Sequence, residues 1–338
     1  MRNQKLTVAG VLGIMALVPV LTLGIENRES PMQAVEVRKI WDKAPHNAFT
    51  DLVRHKDTWW CVFREGKTHV SDDGKLRIIT SSDGAKWESA ALISSGTEDL
   101  RDAKLTVAPD GTFLVYGAGV DRRISPQVLR SYVWSSKDGR SWSDARAIGL
   151  VDDWLWRVTY HDGTYYSVGY GCSEIGRGNQ TNSCRLYKSK DGLTFDVLVE
   201  GYRSGDYSNE SRILFRPDKT ALCLLRRDPD HGLLGTASPP YTKWHWKDVG
   251  CRIGGPEMLL LPDGRLLAAV RLYDSGSRTS LCWIDADTGK LSKVLKLPSG
   301  GDTSYAGLAL HNGMVWVSYY SSHEGKTAVY LAKVKIEE

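Results

Sequence analysis

The sequence predicts an all-β, six-bladed β-propeller, and three observations support this fold class. A seven-residue phrase recurs about every fifty residues, six tight turns separate pairs of apolar runs, and helical periodicity is absent after the N-terminal leader. The phrase begins at residues 81, 136 and 189, with degraded copies at 238 and 285. These starts are 55, 53, 49 and 47 residues apart, which is the length expected of one four-stranded blade.

The recurring phrase has the composition of a tight turn. Its best copies are Ser81–Trp87, Ser136–Trp142 and Ser189–Phe195. We expect its Ser and Asp side chains to bind nearby backbone groups while its glycine adopts a positive φ. The aromatic residue that ends each copy would then pack the turn onto an apolar layer.

Six hairpin turns predict six blades. Most carry Asp-Gly or Asn-Gly between β-branched and aromatic runs, which is a strong hairpin signal. The turns lie at residues 57–58, 109–111, 161–163, 217–219, 262–264 and 311–313. The blades should therefore begin near residues 46, 98, 154, 207, 253 and 303.

The N-terminal strand is predicted to complete the last blade. That blade has strands near residues 305–310, 314–320 and 327–334 but no fourth strand after them. An unassigned strand at residues 34–41 precedes the first blade. Pairing the two would close the ring and leave no exposed sheet edge.

Residues 1–25 have the pattern of a secretory signal peptide. Arg2 and Lys5 precede an apolar stretch from Leu6 to Leu23. An uncleaved membrane anchor is the alternative, since this stretch is nearly long enough to span a bilayer. We expect a secreted or periplasmic protein, with no membrane attachment after signal removal and one propeller domain at residues 34–338.

Composition narrows the classes of partner. The formal charge is +4, falling to +2 without Arg2 and Lys5, and no Lys/Arg run occurs, so no nucleic-acid partner is expected. Cys172 and Cys184 flank a polar loop and are the best disulfide candidates. No Cys/His spacing indicates zinc, and we expect neither a cofactor nor an obligatory metal.

Ionisable residues are predicted to converge at one mouth of the propeller. Aligning the hairpins places there the entrances of the first strands, at Asp51, Arg101, Asp102, Arg157, Glu210, Glu257 and Tyr305. The second strands end close by, at Arg64, at Arg226 and Arg227, and at Arg271. Crowded charges are costly unless they pair or meet a ligand. The ring is therefore either a salt-bridge network between blades or a binding site.

The order of these residues resembles that of the sialidase (neuraminidase) superfamily, over residues 34–338. The recurring phrase is similar to the Asp box of that family. Asn209-Glu210 is followed by Arg226 and Arg227, then by Arg271, Tyr305 and Glu324. Asp102 opens the second blade, and the loop from Thr68 to Asp73 corresponds to the family's acid-bearing loop.

The resemblance implies a secreted exo-glycoside hydrolase that acts on a terminal acidic sugar of the sialic acid type. Tyr305 would be the nucleophile of a retaining mechanism, because a phenol is not repelled by the substrate carboxylate. Glu210 would take its proton, and Asp72 or Asp73, with His69 as a substitute, would protonate the leaving oxygen. The residues expected to bind the substrate are Arg64, Arg101, Asp102, Arg157, Arg226, Arg227, Glu257, Arg271 and Glu324.

One departure from the family leaves the substrate open. Sialidases usually begin the first blade with Arg-Ile-Pro, which supplies one arginine of the carboxylate clamp, whereas this chain has Asn47-Ala48-Phe49-Thr50-Asp51. Two alternatives follow. The protein could be a non-catalytic carbohydrate-binding propeller. It could also be a hydrolase or lyase that acts on another acidic sugar such as a uronate, with His69 and Tyr305 as the acid–base pair.

Overall fold

The computed structural model describes residues 31–125, 127–171 and 183–337, and within these ranges the chain forms strands and turns without a helix. The predicted signal peptide and Cys172 lie outside the described residues. No helix capable of crossing a bilayer occurs in the ranges that are described.

Six antiparallel sheets form the blades of a propeller, so the predicted fold class is confirmed. Blade one contains β2 (His46–His55), β3 (Thr58–Gly66), β4 (Lys75–Ser81) and β5 (Glu88–Ile93); blade two contains β6 (Asp99–Val107), β7 (Phe113–Val120), β8 (Leu129–Ser136) and β9 (Arg146–Ile148). Blade three contains β10 (Asp153–Leu155), β11 (Thr159–His161), β12 (Thr164–Gly171), β13 (Cys184–Ser189) and β14 (Asp196–Arg203). Blade four contains β15 (Ser208–Phe215), β16 (Ala221–Arg227), β17 (Leu233–Ala237) and β18 (His245–Asp248); blade five contains β19 (Gly254–Leu260), β20 (Leu266–Leu272), β21 (Arg278–Ile284) and β22 (Leu291–Lys296).

Blade six joins the two ends of the described chain. It contains β23 (Thr303–His311), β24 (Met314–Ser321), β25 (Ala328–Ile336) and β1 (Met32–Trp41). β1 runs antiparallel to β25, with Met32 opposite Ile336 and Trp41 opposite Val329. The predicted closure by the N-terminal strand is confirmed, and each blade begins within one residue of its predicted start.

The three best copies of the recurring turn, in blades one, two and three, each pack against the preceding blade. In the first copy, Asp83 Oδ1 accepts the backbone N–H groups of Ala85 and Lys86 at 2.7 and 3.0 Å. Gly84 has φ 71°, and a Cβ there would lie 2.3 Å from the Trp316 ring of blade six. The second copy abuts Trp60 of blade one in the same way. The glycine of the phrase is therefore needed for close approach as well as for its backbone conformation.

The axis is built from the first strands of the blades. β2 contacts β6 and β23, and β19 contacts β15 and β23. Apolar layers between neighbouring blades hold this ring together, as where Trp59 of blade one stacks on Trp316 of blade six at 4.3 Å between ring centroids. The first strand of blade three is divided in two: its regular pairing with β12 ends at Leu155 in β10 and resumes at Thr159 in β11.

Candidate active site at one mouth of the propeller

Bulges in the first strands turn side chains toward the axis. In β2, β6, β15, β19 and β23, two residues oppose a single residue of the neighbouring strand. Phe49, Asp102, Gly255 and Tyr305 stand at such bulges with φ values of 63°, 52°, 54° and 51°. Bulky residues rarely adopt a positive φ, and such backbone outliers concentrate at functional sites.

Tyr305 and Glu210 form the central pair of the site. The Tyr305 hydroxyl donates to Glu210 Oε1 at 2.6 Å. Arg226 Nη1 lies 2.8 Å from Glu210 Oε2 and donates to the Tyr305 hydroxyl oxygen at 3.1 Å. The backbone N–H of Gly255 donates to Glu210 Oε2 at 3.0 Å. The three side chains that the sequence order grouped together are therefore in direct contact.

Tyr305 is a buried phenol in a charged aromatic setting. Burial and the Glu210 carboxylate raise the pKa of Tyr305 well above 10, while Arg226 and Arg271 act in the opposite direction. The Arg271 guanidinium lies 5.1 Å from the centroid of the Tyr305 ring, and Phe49 packs edge-on against the ring at 5.2 Å. At rest the phenol therefore keeps its proton, and it can become a nucleophile only as Glu210 accepts that proton.

Both arginines of the site are fixed by further contacts. Arg226 Nε lies 2.7 Å from Asp228 Oδ2. Arg271 Nε donates to the carbonyl oxygen of Thr303 at 2.8 Å, and its Nη2 donates to the Tyr320 hydroxyl at 3.0 Å. Two guanidinium groups held this way can present N–H donors to an anionic group of a ligand.

Arg101 and Asp102 flank the pair on the side of blade two. Arg101 Nε lies 3.6 Å from Asp102 Oδ2, and its guanidinium lies 5.1 Å from the centroid of the Phe49 ring. Asp102 is buried, and its Oδ1 has no hydrogen-bond partner among the described residues. Burial raises the pKa of Asp102, against the lowering effect of Arg101 and Lys104. An unpartnered buried carboxyl oxygen of this kind is suited to receive a ligand hydroxyl.

The loop that follows β3, predicted to carry the acid, is attached to the scaffold by Arg64. Arg64 is fully buried; it donates from Nε to Asp99 at 2.8 Å and from Nη1 to the carbonyl oxygen of Thr68 at 2.9 Å. Its guanidinium is thus occupied by protein groups. In the same loop, Asp73 accepts the backbone N–H of Lys67 at 3.1 Å, whereas Asp72 is exposed.

A second cluster combines His69 with Asp302 and His46. His69 Nδ1 lies 2.7 Å, and His46 Nε2 2.9 Å, from the same atom, Asp302 Oδ2. Burial would raise the pKa of Asp302, but the hydrogen bonds with His46 and His69 hold it well below its usual range. Within the described ranges, these three residues form the one group whose atoms could ligate a metal ion, all lying within 4.8 Å of one another.

Four of the predicted site residues lie outside both the group around Tyr305 and Glu210 and the cluster of His46, His69 and Asp302. Arg157 and Glu257 form a buried network further along the axis, beside a cavity of about 330 Å³. Arg227 donates to the carbonyl oxygen of His231 at 2.8 Å, and Glu324 is exposed, with Lys39 at 3.2 Å. A role for any of these four in substrate binding stays a prediction.

Several residues that complete the site were not among the predicted site residues. Asp302 precedes Tyr305 by three residues in a Gly-rich segment, and Asp228 follows the arginine pair directly, so a search for polar neighbours of the predicted residues could have found both. Phe49 stands in the segment that replaces Arg-Ile-Pro, and Tyr320 ends the second strand of the last blade, so the alignment of the hairpins predicts both near the mouth. His46 carries no such signal; its contact with Asp302 joins blade one to blade six across the closure of the ring.

Comparison with known proteins identifies relatives in structure alone. No family model and no curated protein sequence matches this chain. A protein of unknown function from Dyadobacter fermentans is 19% identical, with a TM-score of 0.81 over 91% of this chain and 100% of that chain. An α-L-arabinofuranosidase from Fusarium graminearum is 12% identical, with a TM-score of 0.70 over 89% of this chain and 98% of that chain.

A sialidase from Trypanosoma rangeli is 13% identical, with a TM-score of 0.64. The match covers 86% of this chain and 55% of that chain, so it spans about half the length of the trypanosomal enzyme. At these identities the likeness shows the fold. The chain therefore has a six-bladed propeller fold that is shared by glycoside hydrolases of more than one specificity.

Proposed function

We propose that the protein is a retaining exo-glycoside hydrolase of sialidase type, which releases a terminal sugar that bears a carboxylate. One observation carries the proposal: the Tyr305 hydroxyl donates to Glu210 at 2.6 Å while Arg226 reaches both groups. A nucleophile within hydrogen-bond distance of its base, with a third group orienting the base, is the arrangement that covalent catalysis requires.

In the first step, the Tyr305 oxygen attacks the anomeric carbon as its proton passes to Glu210. Arg226 lies 3.1 Å from that oxygen, so it can stabilise the negative charge that develops there. A neutral phenol can approach an anomeric carbon that carries a carboxylate, whereas an Asp or Glu nucleophile would be repelled. Arg226 and Arg271 would hold the substrate carboxylate beside the Tyr305 ring.

We assign the proton donor for the leaving oxygen to Asp72. Hydrogen bonds from Ser71 and Lys67 N lower the pKa of Asp73 despite its partial burial, and a lowered pKa does not suit a general acid. His69 is bound through Nδ1 to Asp302. Asp72, exposed on the loop that Arg64 anchors, remains available. The unpartnered Oδ1 of Asp102 would accept a hydroxyl of the same sugar.

We further propose that residues 1–25 direct the chain out of the cytoplasm, so that the enzyme meets its glycan outside the cell or in the periplasm. The charged start and apolar stretch of this segment support the proposal. Export of a fusion of residues 1–30 to a reporter protein tests it. Retention of the reporter in the cytoplasm would contradict it.

The activity is tested with three aryl glycosides: an α-sialoside, a β-glucuronide and an α-L-arabinofuranoside. We expect turnover of an acidic substrate, with Tyr305→Phe lowering kcat at least about 1,000-fold because the nucleophile is lost. Tyr319→Phe is the matched control, since this buried phenol donates to the carbonyl oxygen of Pro298 outside the site. Full activity of Tyr305→Phe would refute the mechanism.

The position of Phe49 favours a second candidate function. It stands in the segment where sialidases carry the first clamp arginine, and its ring packs on Tyr305. A propeller with that arginine replaced could bind an acidic glycan without cleaving it. Saturable glycan binding by the wild-type chain, with no product on any of the three substrates, would favour this candidate over the hydrolase.

A further inference from the structure

Three potential metal ligands from distant parts of the chain meet beside the candidate active site. His46 begins β2, His69 lies in the loop after β3, and Asp302 immediately precedes β23. Both imidazoles approach the same carboxylate oxygen, at 2.9 Å from His46 Nε2 and 2.7 Å from His69 Nδ1. All three ligand atoms lie within 4.8 Å of one another.

We propose that His46, His69 and Asp302 bind one divalent transition-metal cation of the Zn²⁺ class. Two imidazole nitrogens and one carboxylate oxygen form a ligand set that zinc and its first-row neighbours accept, with at least one coordination position left open. Calcium and magnesium prefer all-oxygen sites, so this set discriminates against them.

The cluster can accommodate such a cation with a small movement. Zinc bonds of about 2.0–2.1 Å in tetrahedral geometry separate the ligand atoms by roughly 3.4 Å. The nitrogens, now 2.9 and 2.7 Å from Asp302 Oδ2, must therefore withdraw from it by about 0.5 Å for His46 and about 0.7 Å for His69. His69 is half exposed on its loop, with 47% of its side-chain surface accessible, so it is free to make this adjustment.

The surroundings of Asp302 suit a ligating carboxylate. The Tyr320 hydroxyl donates to Asp302 Oδ1 at 2.7 Å, which orients the carboxylate and leaves Oδ2 for the cation. Arg271 Nη2 lies 3.7 Å from the same Oδ1. This positive charge opposes a cation, so we expect micromolar affinity and not the tighter binding of a structural zinc site.

The location suggests what the cation would do, an extension that rests on the proposed function. The rings of His69 and His46 lie 5.1 and 6.3 Å from the ring of Phe49, which in turn packs on Tyr305. Phe49 stands in the segment where the clamp arginine is missing. A bound cation with an open position would supply the lost positive charge to an anionic or hydroxyl group of the sugar.

Metal binding is tested on the tag-free chain after dialysis against a chelator. Isothermal titration with zinc chloride should give one site per chain, and Co²⁺ should give the visible absorption of a low-coordinate complex. Calcium should not bind. His69→Asn and Asp302→Asn should each weaken zinc binding at least about tenfold, because each removes one of three protein ligands.

His231→Asn is the matched control. This residue forms a single His–Asp contact, 3.0 Å from Asp248 on blade four, away from the cluster, and its loss should leave zinc affinity unchanged. Absence of saturable zinc binding by the wild-type chain, or binding that survives both substitutions, would overturn the proposal. Tyr305→Phe should bind zinc normally, so a failure of the metal proposal is distinguishable from a failure of the glycosidase proposal.

Discussion

Replacement of Arg157 by methionine should destabilise the whole ring. Arg157 Nη1 lies 2.7 Å from Asp51 Oδ1 and also pairs with Glu257. Arg157, Asp51 and Glu257 are 5%, 6% and 3% exposed, so the methionine variant leaves two buried carboxylates without their shared cation. The backbone N–H of Leu105 and the side chain of Arg212 would still bind them.

The size of the expected loss of stability follows from the burial of this ion pair. Removing one partner of a buried ion pair costs about 3–5 kcal/mol of unfolding free energy. An unfolding entropy of about 2.1 cal/mol/K per residue over roughly 300 residues gives about 1.6 °C per kcal/mol, so the melting temperature should fall by about 5–8 °C. The measurement is calorimetric melting, with urea denaturation to check that the m-value is unchanged.

Arg123→Met provides the matched control. Arg123 contacts Asp121 with Nε at 2.9 Å and Nη2 at 2.7 Å, but it is exposed, so its replacement should change the melting temperature far less than Arg157→Met does. Equal losses in the two variants would refute the reasoning that burial makes the axial pair important. If Arg157→Met kept its stability and instead lost substrate affinity, the predicted role of Arg157 as a substrate ligand would be supported.

Three further predictions address the turns, a buried lysine and the proton donor. Gly84→Ala should lower the free energy of unfolding, measured by urea denaturation, by about 1–3 kcal/mol more than Gly163→Ala does. Both glycines have a positive φ, but of the two only Gly84 has a neighbouring side chain that a Cβ would clash with. Equal losses would contradict the interblade contact. Burial lowers the pKa of Lys104 to about 8, from 10.5, so between pH 8 and 10.5 this lysine binds its proton more fully in the unfolded chain than in the native chain, and its contribution to stability should rise with pH. The wild type should therefore gain up to about 3 kcal/mol relative to Lys104→Met between pH 7 and pH 10.5, and a flat difference would count against the lowered pKa. Asp72→Asn should lower kcat about 100-fold or more on a glycoside with a poor leaving group, but only slightly on a nitrophenyl glycoside, whose leaving group needs little protonation. Asp73→Asn should lower kcat less on the first substrate. The reverse order of the two variants would move the proton donor to Asp73.

Much of the fold could be predicted because the blade is a local, repeated unit. The hairpin turns and the recurring phrase depend on neighbouring residues, so they located each blade start to within one residue. The division of the first strand of blade three was not predicted, since Trp154 to His161 has the composition of one continuous strand. Regular pairing with β12 is interrupted after Leu155 and resumes at Thr159, and Arg157, between them, makes its ion pairs across the axis.

The site could be predicted only where the order of residues along the chain carried a signal. Glu210, Arg226 and Tyr305 were grouped by that order, and they are in contact. His46 and Asp302 are 256 positions apart in sequence, and no spacing rule joins them. The spacing of His and Asp residues therefore predicted no metal, and the proposed zinc site departs from that expectation.

The pairing of β1 with β25 also determines when the ring can close during synthesis of the chain. Trp41 faces Val329 in this pairing, so at a synthesis rate of about 5–20 residues per second the first strand waits roughly 15–60 s for its partner. Tyr305 lies in the same last blade. A chain that stops before β25 lacks the partner of β1, so the ring closes only after the last strand has been made.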